Sequence, residues 1–408
     1  MIPASKQIVK YYLIGMAWLF GLLWPLLGIH EDGTLSFARA FNVWFYIFGV
    51  TLVIVVTVVL HKQGLLNWFS RSSSTAKASL ARINARTPQW IGMAAVAVLV
   101  LIFPAFTGRY EQDVAINVLV YVCLGLGLNI VIGLAGMLDL GYIAFYGVGA
   151  YTYALLSIHF QIPFWLSLPV AAFTACIAGC IIGYPTLRMR GDYLAIVTLG
   201  FGEIVRIILN NWMELTNGPN GILGIRAPGI FFPSFADGFS LEHLYLKKLH
   251  YLYYVILLLA VLTIIAVRRL NLSRIGRAWE AIREDETAAE LMGVNTYRLK
   301  LLAYAMGAIF AGLAGAFFAA RVRFVSPESF TFLESATVLA MVVLGGMASI
   351  PGVILGALAL IVLPEIFREF ELYRMLCLGG AMVMMMVFKP SGFIAAKRLG
   401  RRSEEREG

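Results

Sequence analysis

Residues 187–212 read LRMRGDYLAIVTLGFGEIVRIILNNW. Two arginines, Arg188 and Arg190, precede a run of about twenty mostly apolar residues, 193–212, interrupted only by Glu203 and Arg206. An α-helix needs roughly twenty such residues to cross the hydrocarbon core of a bilayer. This stretch therefore reads as a transmembrane helix with a basic end. Glu203 and Arg206 stand three apart and can neutralise one another on one helix face. Ionised groups are costly inside a membrane, so this pair has either a helix-packing role or a place in a pathway or gate.

Working outward, the same pattern recurs. Apolar segments lie at about 11–29, 41–60, 90–107, 114–135, 140–158, 164–183, 193–212, 250–267, 299–320, 331–348, 352–363 and 375–388. The eleventh is short and runs into Pro364, so it is either re-entrant or extended. The 408-residue chain is 60% hydrophobic and only 13% charged, whereas soluble domains average roughly 25% charged. That excludes a soluble enzyme, a nucleic-acid binder and a disordered chain. The fold class is an all-α polytopic membrane protein of about twelve apolar segments. The first run lacks a small-residue cleavage site and reads as a span rather than a signal peptide. Cys123, Cys176, Cys180 and Cys377 lie in apolar runs without metal-ligand spacing, and the five histidines show no ligand pattern, so no metal or cofactor is expected.

Loop charge gives direction. The segments 61–89 and 268–298 and the tail after Phe388 are rich in Lys and Arg. With alternating spans they fall on one side together with Lys6, Lys10, Arg188 and Arg190. Counting Lys300 with the loop it abuts, that side holds 22 basic residues and the other nine, with Arg206 inside a span. The excess marks the cytoplasm, which places both termini inside. The net charge of +9 belongs to this asymmetry and not to nucleic acid. A composition break near Thr87-Pro88 separates a two-span extension and linker (1–87) from a core of about ten spans (88–390), followed by a basic tail (391–408). The longest outside loop, 213–249, is long enough for a lid or docking surface.

The chain contains no Gly-Lys dipeptide, so it lacks a phosphate-binding P-loop of its own. Few titratable residues lie in the spans: Glu203, Arg206, Asp139 at the entry to the fifth, and Glu334 near the start of the tenth. Asp139 reads as a helix-end residue. The cytoplasmic loop reads GRAWEAIREDETAAELMGVNTYRLK from Gly276. It predicts two short helices, with Asp285 as a cap, Thr287-x-x-Glu290 in capping-box spacing and Gly293 as a stop. A small capped helix with Ala288, Ala289, Leu291 and Met292 suits a partner's groove; the alternative is a solvated loop helix.

The spacing Thr287-Ala288-Ala289-x-x-x-Gly293 resembles the coupling loop of ABC importer permeases, with Thr287 in the place of the usual Glu. The run 187–212, LTNGPNGILGI (215–225), GMLDLGYIAFYGVGAY (136–151) and MVVLGGMASIPGVILGA (341–357) resemble the larger, LivM-type permeases of high-affinity branched-chain amino acid importers. Asn217 and Ala348 stand where glycine is more usual in that family. The resemblance covers about 90–390. It implies a permease that moves Leu, Ile and Val across the inner membrane and catalyses no covalent reaction. Its implied partners are a smaller permease, two cytoplasmic ATPases and a periplasmic binding protein. Thr287, Ala288, Ala289, Glu290 and Gly293 would then couple to the ATPases. Asp139, Gly141, Glu203, Arg206, Gly345 and Gly346 are pathway or gate candidates. Thr216, Asn217, Gly218, Pro219, Asn220 and Gly221 are candidates to face the binding protein.

The glycines of 125–149 and Gly345-Gly346 with Pro351-Gly352 suit broken helices and a hinge, or tight packing. Gly312 and Gly315 read as packing. A urea or short-amide permease shares this core, and the 187–212 run and the extension favour the branched-chain reading. A proton-coupled carrier of the major facilitator type also has twelve spans, but loop 61–89 lacks its GxxxD-RxGR motif. An intramembrane enzyme would need paired catalytic residues, which the spans lack.

Overall fold

The computed structural model describes residues 100–187, 189, 191–234, 240–245, 248–366, 379–380, 383 and 392–394. The chain separates into two units, Met1–Val100 and Leu101–Gly408, and the elements named below all belong to the second. The expected spans 11–29 and 41–60, most of 90–107 and of 375–388, the linker and most of the basic tail lie outside the described residues.

Each expected segment from 114–135 to 352–363 is a helix. They are α1 (Arg109–Asn129), α2 (Ile143–His159), α3 (Phe164–Thr186), α4 (Asp192–Asn211), α5 (Leu249–Leu272), the cytoplasmic-loop helices α6 (Arg274–Glu284) and α7 (Glu286–Leu291), α8 (Thr296–Val322), α9 (Phe332–Gly345) and α10 (Ile350–Ile366). Among the described residues, six helices are long and apolar enough to cross a membrane. The protein is a multi-pass membrane protein. The eleventh segment is an extended helix, α10, which carries Pro364 inside its last turn.

The core is built by α1, α2, α3 and α8, and its close crossings are set by small residues. A Cβ on Gly149 would fall within 2.7 Å of the Gly312 backbone, and one on Gly312 would fall 2.8 Å from the Ala171 carbonyl. Gly315 faces Tyr146 and Ala150 in the same way. In lipid the apolar effect between helices is weak, so backbone approach through small residues carries much of the association. Gly312 and Gly315 are thus packing positions. Tyr142, Tyr304, Phe317 and Leu126 are fully buried around them.

The structure adds to the all-helical expectation two short antiparallel pairs near one end of the bundle: β1 (Ile222–Leu223) with β4 (Phe324–Val325), and β2 (Gly229–Ser234) with β3 (Ser240–Tyr245). Backbone leaving a helix needs partners for its N–H and C=O groups, and these pairs supply some of them within the connecting loops.

Candidate functional site

The candidate residues of the described unit fall at both of its ends and along α4 between them. At one end α1 does not stop cleanly. It passes into a π-helical turn, Ile130–Leu134, closed by Ala135 N–H on the Ile130 carbonyl (3.1 Å) and Met137 N–H on the Val131 carbonyl (3.0 Å). Residues 135–142 then run irregularly before α2 begins. Such backbone is tolerated at membrane depth only inside protein or along a water-filled path; here most of it is buried, with Gly136 and Leu138 exposed. Asp139 is 1% exposed, and its Oδ1 accepts the Gly141 N–H at 2.9 Å. It therefore precedes α2 as a buried group and not as the helix-end residue expected from the sequence, and α2 has no side-chain cap. Among the described residues, Oδ2 of the same carboxylate and the buried Tyr304 hydroxyl have no hydrogen-bond partner.

Gly141 is where α4 crosses this break. A Cβ there would run into the carbonyl of Thr198, with the Thr198 carbonyl carbon 2.9 Å away, and the Leu140 N–H donates to Thr198 Oγ1 at 3.1 Å. The break at 345–350 lies against the same region. The Ala348 N–H donates to Asn129 Oδ1 at 2.8 Å, and a Cβ on Gly133 would sit 2.6 Å from that nitrogen. Gly346 has φ 115° and Ala348 φ 65°. Segment 392–394 returns here, with the Phe393 and Ile394 N–H groups donating to the carbonyls of Leu344 (2.8 Å) and Gly345 (3.1 Å). The chain thus brings Asp139, Gly141, Gly345 and Gly346 to one region built on two interrupted helices.

Glu203 and Arg206 follow directly on this crossing, since Gly202 also lies against Gly141, and Arg206 Nε donates to Glu203 Oε1 at 2.9 Å. Their side chains are 41% and 30% exposed respectively. Only 17% of the apolar window of α4 is buried, against 72% for α1. The exposed stripe runs through Tyr193, Ile196, Ile204 and Ile207, and a Cβ on Gly200 would meet nothing within 4 Å.

The loop helices α6 and α7 lie at the same end as the first break. Ser273 caps α6 and Asp285 caps α7, the latter accepting the Ala288 N–H at 3.0 Å. The cap therefore falls on Asp285, and Thr287 sits in the first turn without forming the Thr287–Glu290 box. Gly293 ends the helix with φ 87° and open space around it, with Val294 N–H bonded to the Ala289 carbonyl at 3.1 Å. This is the left-handed stop that glycine adopts at least cost. Ala289 is buried against its own chain, whereas Leu291 and Met292 are more than four-fifths exposed. Thr287, Ala288 and Glu290 share that free surface. Glu286 pairs with the buried Lys300 at 2.6 Å, fastening α7 to the start of α8.

The family model for branched-chain amino acid transport system permease components matches residues 112–387. The chain belongs to this family. It is 45% identical over 406 residues to the high-affinity branched-chain amino acid transport system permease protein LivM of Escherichia coli K12, covering 95% of this chain and 94% of that one. It is 48% identical over 322 residues to the protein of the same name in Salmonella typhimurium, covering 76% of each chain. The permease protein LivH of Salmonella typhimurium is 24% identical over 286 residues, covering 67% of this chain and 91% of its own. No solved structure matches.

At the opposite end of this permease, residues 216–221 form a tight knot after α4. The buried Thr216 hydroxyl donates to the Leu209 carbonyl at 2.6 Å, with the Trp212 carbonyl also in reach. Asn217 Nδ2 donates to the Gly221 carbonyl at 2.9 Å. Gly218 is buried; Pro219 and Asn220 are exposed at the tip. Gly221 lies against Phe324 and Val325 beside α8. The next stretch is held down by Tyr153, whose hydroxyl donates to the Arg226 carbonyl at 2.7 Å. Ser157 Oγ accepts the Arg226 N–H at 3.0 Å. Asn217 (φ 59°) and Ala348 (φ 65°) are both left-handed. These are the two positions where glycine was the expected residue, and the backbone explains why.

Sequence reasoning missed Asn129, Thr198 and Arg283. The first two read as ordinary polar residues within apolar runs. Arg283 reads as one cation among many in a basic loop.

Proposed function

We propose that this chain is the transmembrane permease subunit of an ATP-binding-cassette importer that carries leucine, isoleucine and valine across the inner membrane. The observation that carries this reading is the similarity along nearly the whole chain to relatives named as branched-chain amino acid permeases. The permease performs no covalent chemistry. ATP hydrolysis lies on two cytoplasmic ATPases, a smaller permease completes the membrane unit, and a periplasmic binding protein delivers the solute.

The end bearing α6 and α7 faces the cytoplasm, in keeping with its excess of basic residues. The exposed surface of α7 (Thr287, Ala288, Glu290, Leu291, Met292) is the docking face, and Gly293 sets its angle to α8. Ala289 acts from beneath by packing. Pro219 and Asn220 form the tip of the binding-protein surface, and Thr216, Asn217, Gly218 and Gly221 shape it. The breaks at 135–142 and 345–350 are the flexible elements, with Gly141 and Gly345-Gly346 at their closest backbone approaches. A half-exposed ion pair near the middle of a span is a poor surface for lipid, where an Arg costs about 2.5–3.5 kcal/mol on insertion scales. That supports Glu203 and Arg206 lining the path or its gate where the two permeases meet.

The test is leucine uptake by the assembled complex in proteoliposomes, with binding protein outside and ATP inside. Gly293→Val and Leu291→Glu are expected to insert normally and lose both uptake and substrate-stimulated ATP hydrolysis. Full uptake by both would remove α7 from coupling. Uptake that persists without ATPases and collapses with the proton gradient would refute the importer reading.

A further inference from the structure

Arg283 stands at the last turn of α6, two residues before the Asp285 cap of the docking helix; the residue is exposed, but its guanidinium reaches the membrane unit. Its Nη1 donates to the Gly133 carbonyl at 2.5 Å. That carbonyl lies in the π-helical turn, at the C-terminal end of the α1 rod, where carbonyls lack partners from the helix itself. A cation is favoured there by the helix dipole, and a charge-assisted bond is about twice as strong as a neutral one. The fit extends to the side-chain stem. Gly136 is left-handed (φ 73°), and a Cβ on it would lie 2.7 Å from Arg283 Cγ and 3.1 Å from its Cβ. Both sides of the contact are therefore shaped for this arginine.

Gly133 is also the residue that the second break touches. The Ala348 nitrogen lies where a Gly133 side chain would begin, held by Asn129 Oδ1. One backbone position thus carries Arg283 on its carbonyl and the α9–α10 link on its Cα. Helix α6 is rigidly seated: Trp279 is fully buried, and its Nε1 donates to the Leu299 carbonyl at 2.7 Å. Displacement of the loop unit therefore reaches Gly133 through a short, stiff path.

We infer that Arg283 is the positioning residue that transmits movement of the cytoplasmic docking unit to both helix breaks, through the carbonyl of Gly133. The inference rests on the permease reading and adds to it how coupling enters the membrane. It predicts an uncoupled transporter when the contact is cut. In the complete complex with leucine-loaded binding protein, Arg283→Ala should retain its ATPases and its basal ATP hydrolysis. Leucine moved per ATP hydrolysed should fall by about tenfold or more, within the usual range of coupling energies. Arg283→Lys should recover part of that ratio, since an ammonium can still donate one bond. Gly136→Ala, which pushes the stem aside, should reproduce the loss, and Arg274→Ala on the same helix should behave as wild type.

An unchanged leucine-to-ATP ratio in Arg283→Ala would overturn the inference. So would loss of the ATPases or of membrane insertion in that variant, since either would make the contact a fold-holding one. A wild-type complex that does not couple leucine uptake to ATP would instead refute the permease reading and leave no coupling for Arg283 to transmit.

Discussion

Two glycines within reach of Thr198 give opposite expectations, and the contrast tests whether the crossing of α4 over the first break is as close as described. In Gly141→Ala the new Cβ would meet the Thr198 carbonyl well inside van der Waals range, with the carbonyl carbon at 2.9 Å and the Gly202 nitrogen at 3.3 Å. These are backbone atoms, so α4 as a body must move. Overpacking of this kind costs about 1–3 kcal/mol. The shift also stretches the Leu140 N–H bond to Thr198 Oγ1 (3.1 Å), worth about 0.5–1.5 kcal/mol. The expected loss is about 2–4 kcal/mol. At about 2–4 °C for each kcal/mol in domains of 150–250 residues, the midpoint should fall by roughly 4–16 °C. In Gly200→Ala the new methyl meets nothing, and alanine is the better helix former by about 0.8–1 kcal/mol. That variant should be as stable as wild type or slightly more so. The assay is thermal unfolding of the purified permease in detergent, followed by retention of monodisperse protein after heating. Equal midpoints for the two variants, or a larger loss in Gly200→Ala, would refute the described crossing. If Gly200→Ala keeps its stability but loses leucine uptake in the complete complex, the open face of α4 is used by the second permease or the solute.

Other expectations are simpler to state. Ala348→Gly should stabilise the permease by about 0.5–1 kcal/mol, because the left-handed backbone costs alanine more than glycine's added freedom in the unfolded chain; a lower unfolding midpoint would count against the described turn. Ala289→Arg should lower stability as well as uptake, since its side chain is buried, whereas Ala288→Arg should spare stability and reduce ATPase retention on pull-down. Cysteines placed at Ser73 and Ser403 in a cysteine-free chain should be shielded from an impermeant thiol reagent in intact cells, and one at Ser240 should react; the reverse labelling would overturn the charge-based orientation.

The spans were legible because membrane insertion is a local property of composition: about twenty apolar residues suffice whatever surrounds them. The Asp285 cap and the Gly293 stop were legible for the same reason, since a cap involves residues three or four apart. Resemblance marked Asn217 and Ala348 as glycine positions, and the backbone supplied the cause in two positive φ angles. The Thr287–Glu290 box was misplaced because two capping residues competed within three positions and only the chain direction entering from α6 decides between them.

What the sequence determined by itself was a multi-pass helical membrane protein, the placing of its helices from 114–135 to 352–363, and a short capped helix in the 268–298 loop. Tertiary structure alone decided that Asp139 is buried, that Ala289 faces inward, and that α4 leaves its Glu203–Arg206 face uncovered. It alone joined Arg283 to the Gly133 carbonyl across 150 positions. The physical reason is that every backbone carries the same carbonyl and the same N–H. Which of them is left unpaired, and which cation reaches it, depends on where one helix breaks and how closely another crosses it.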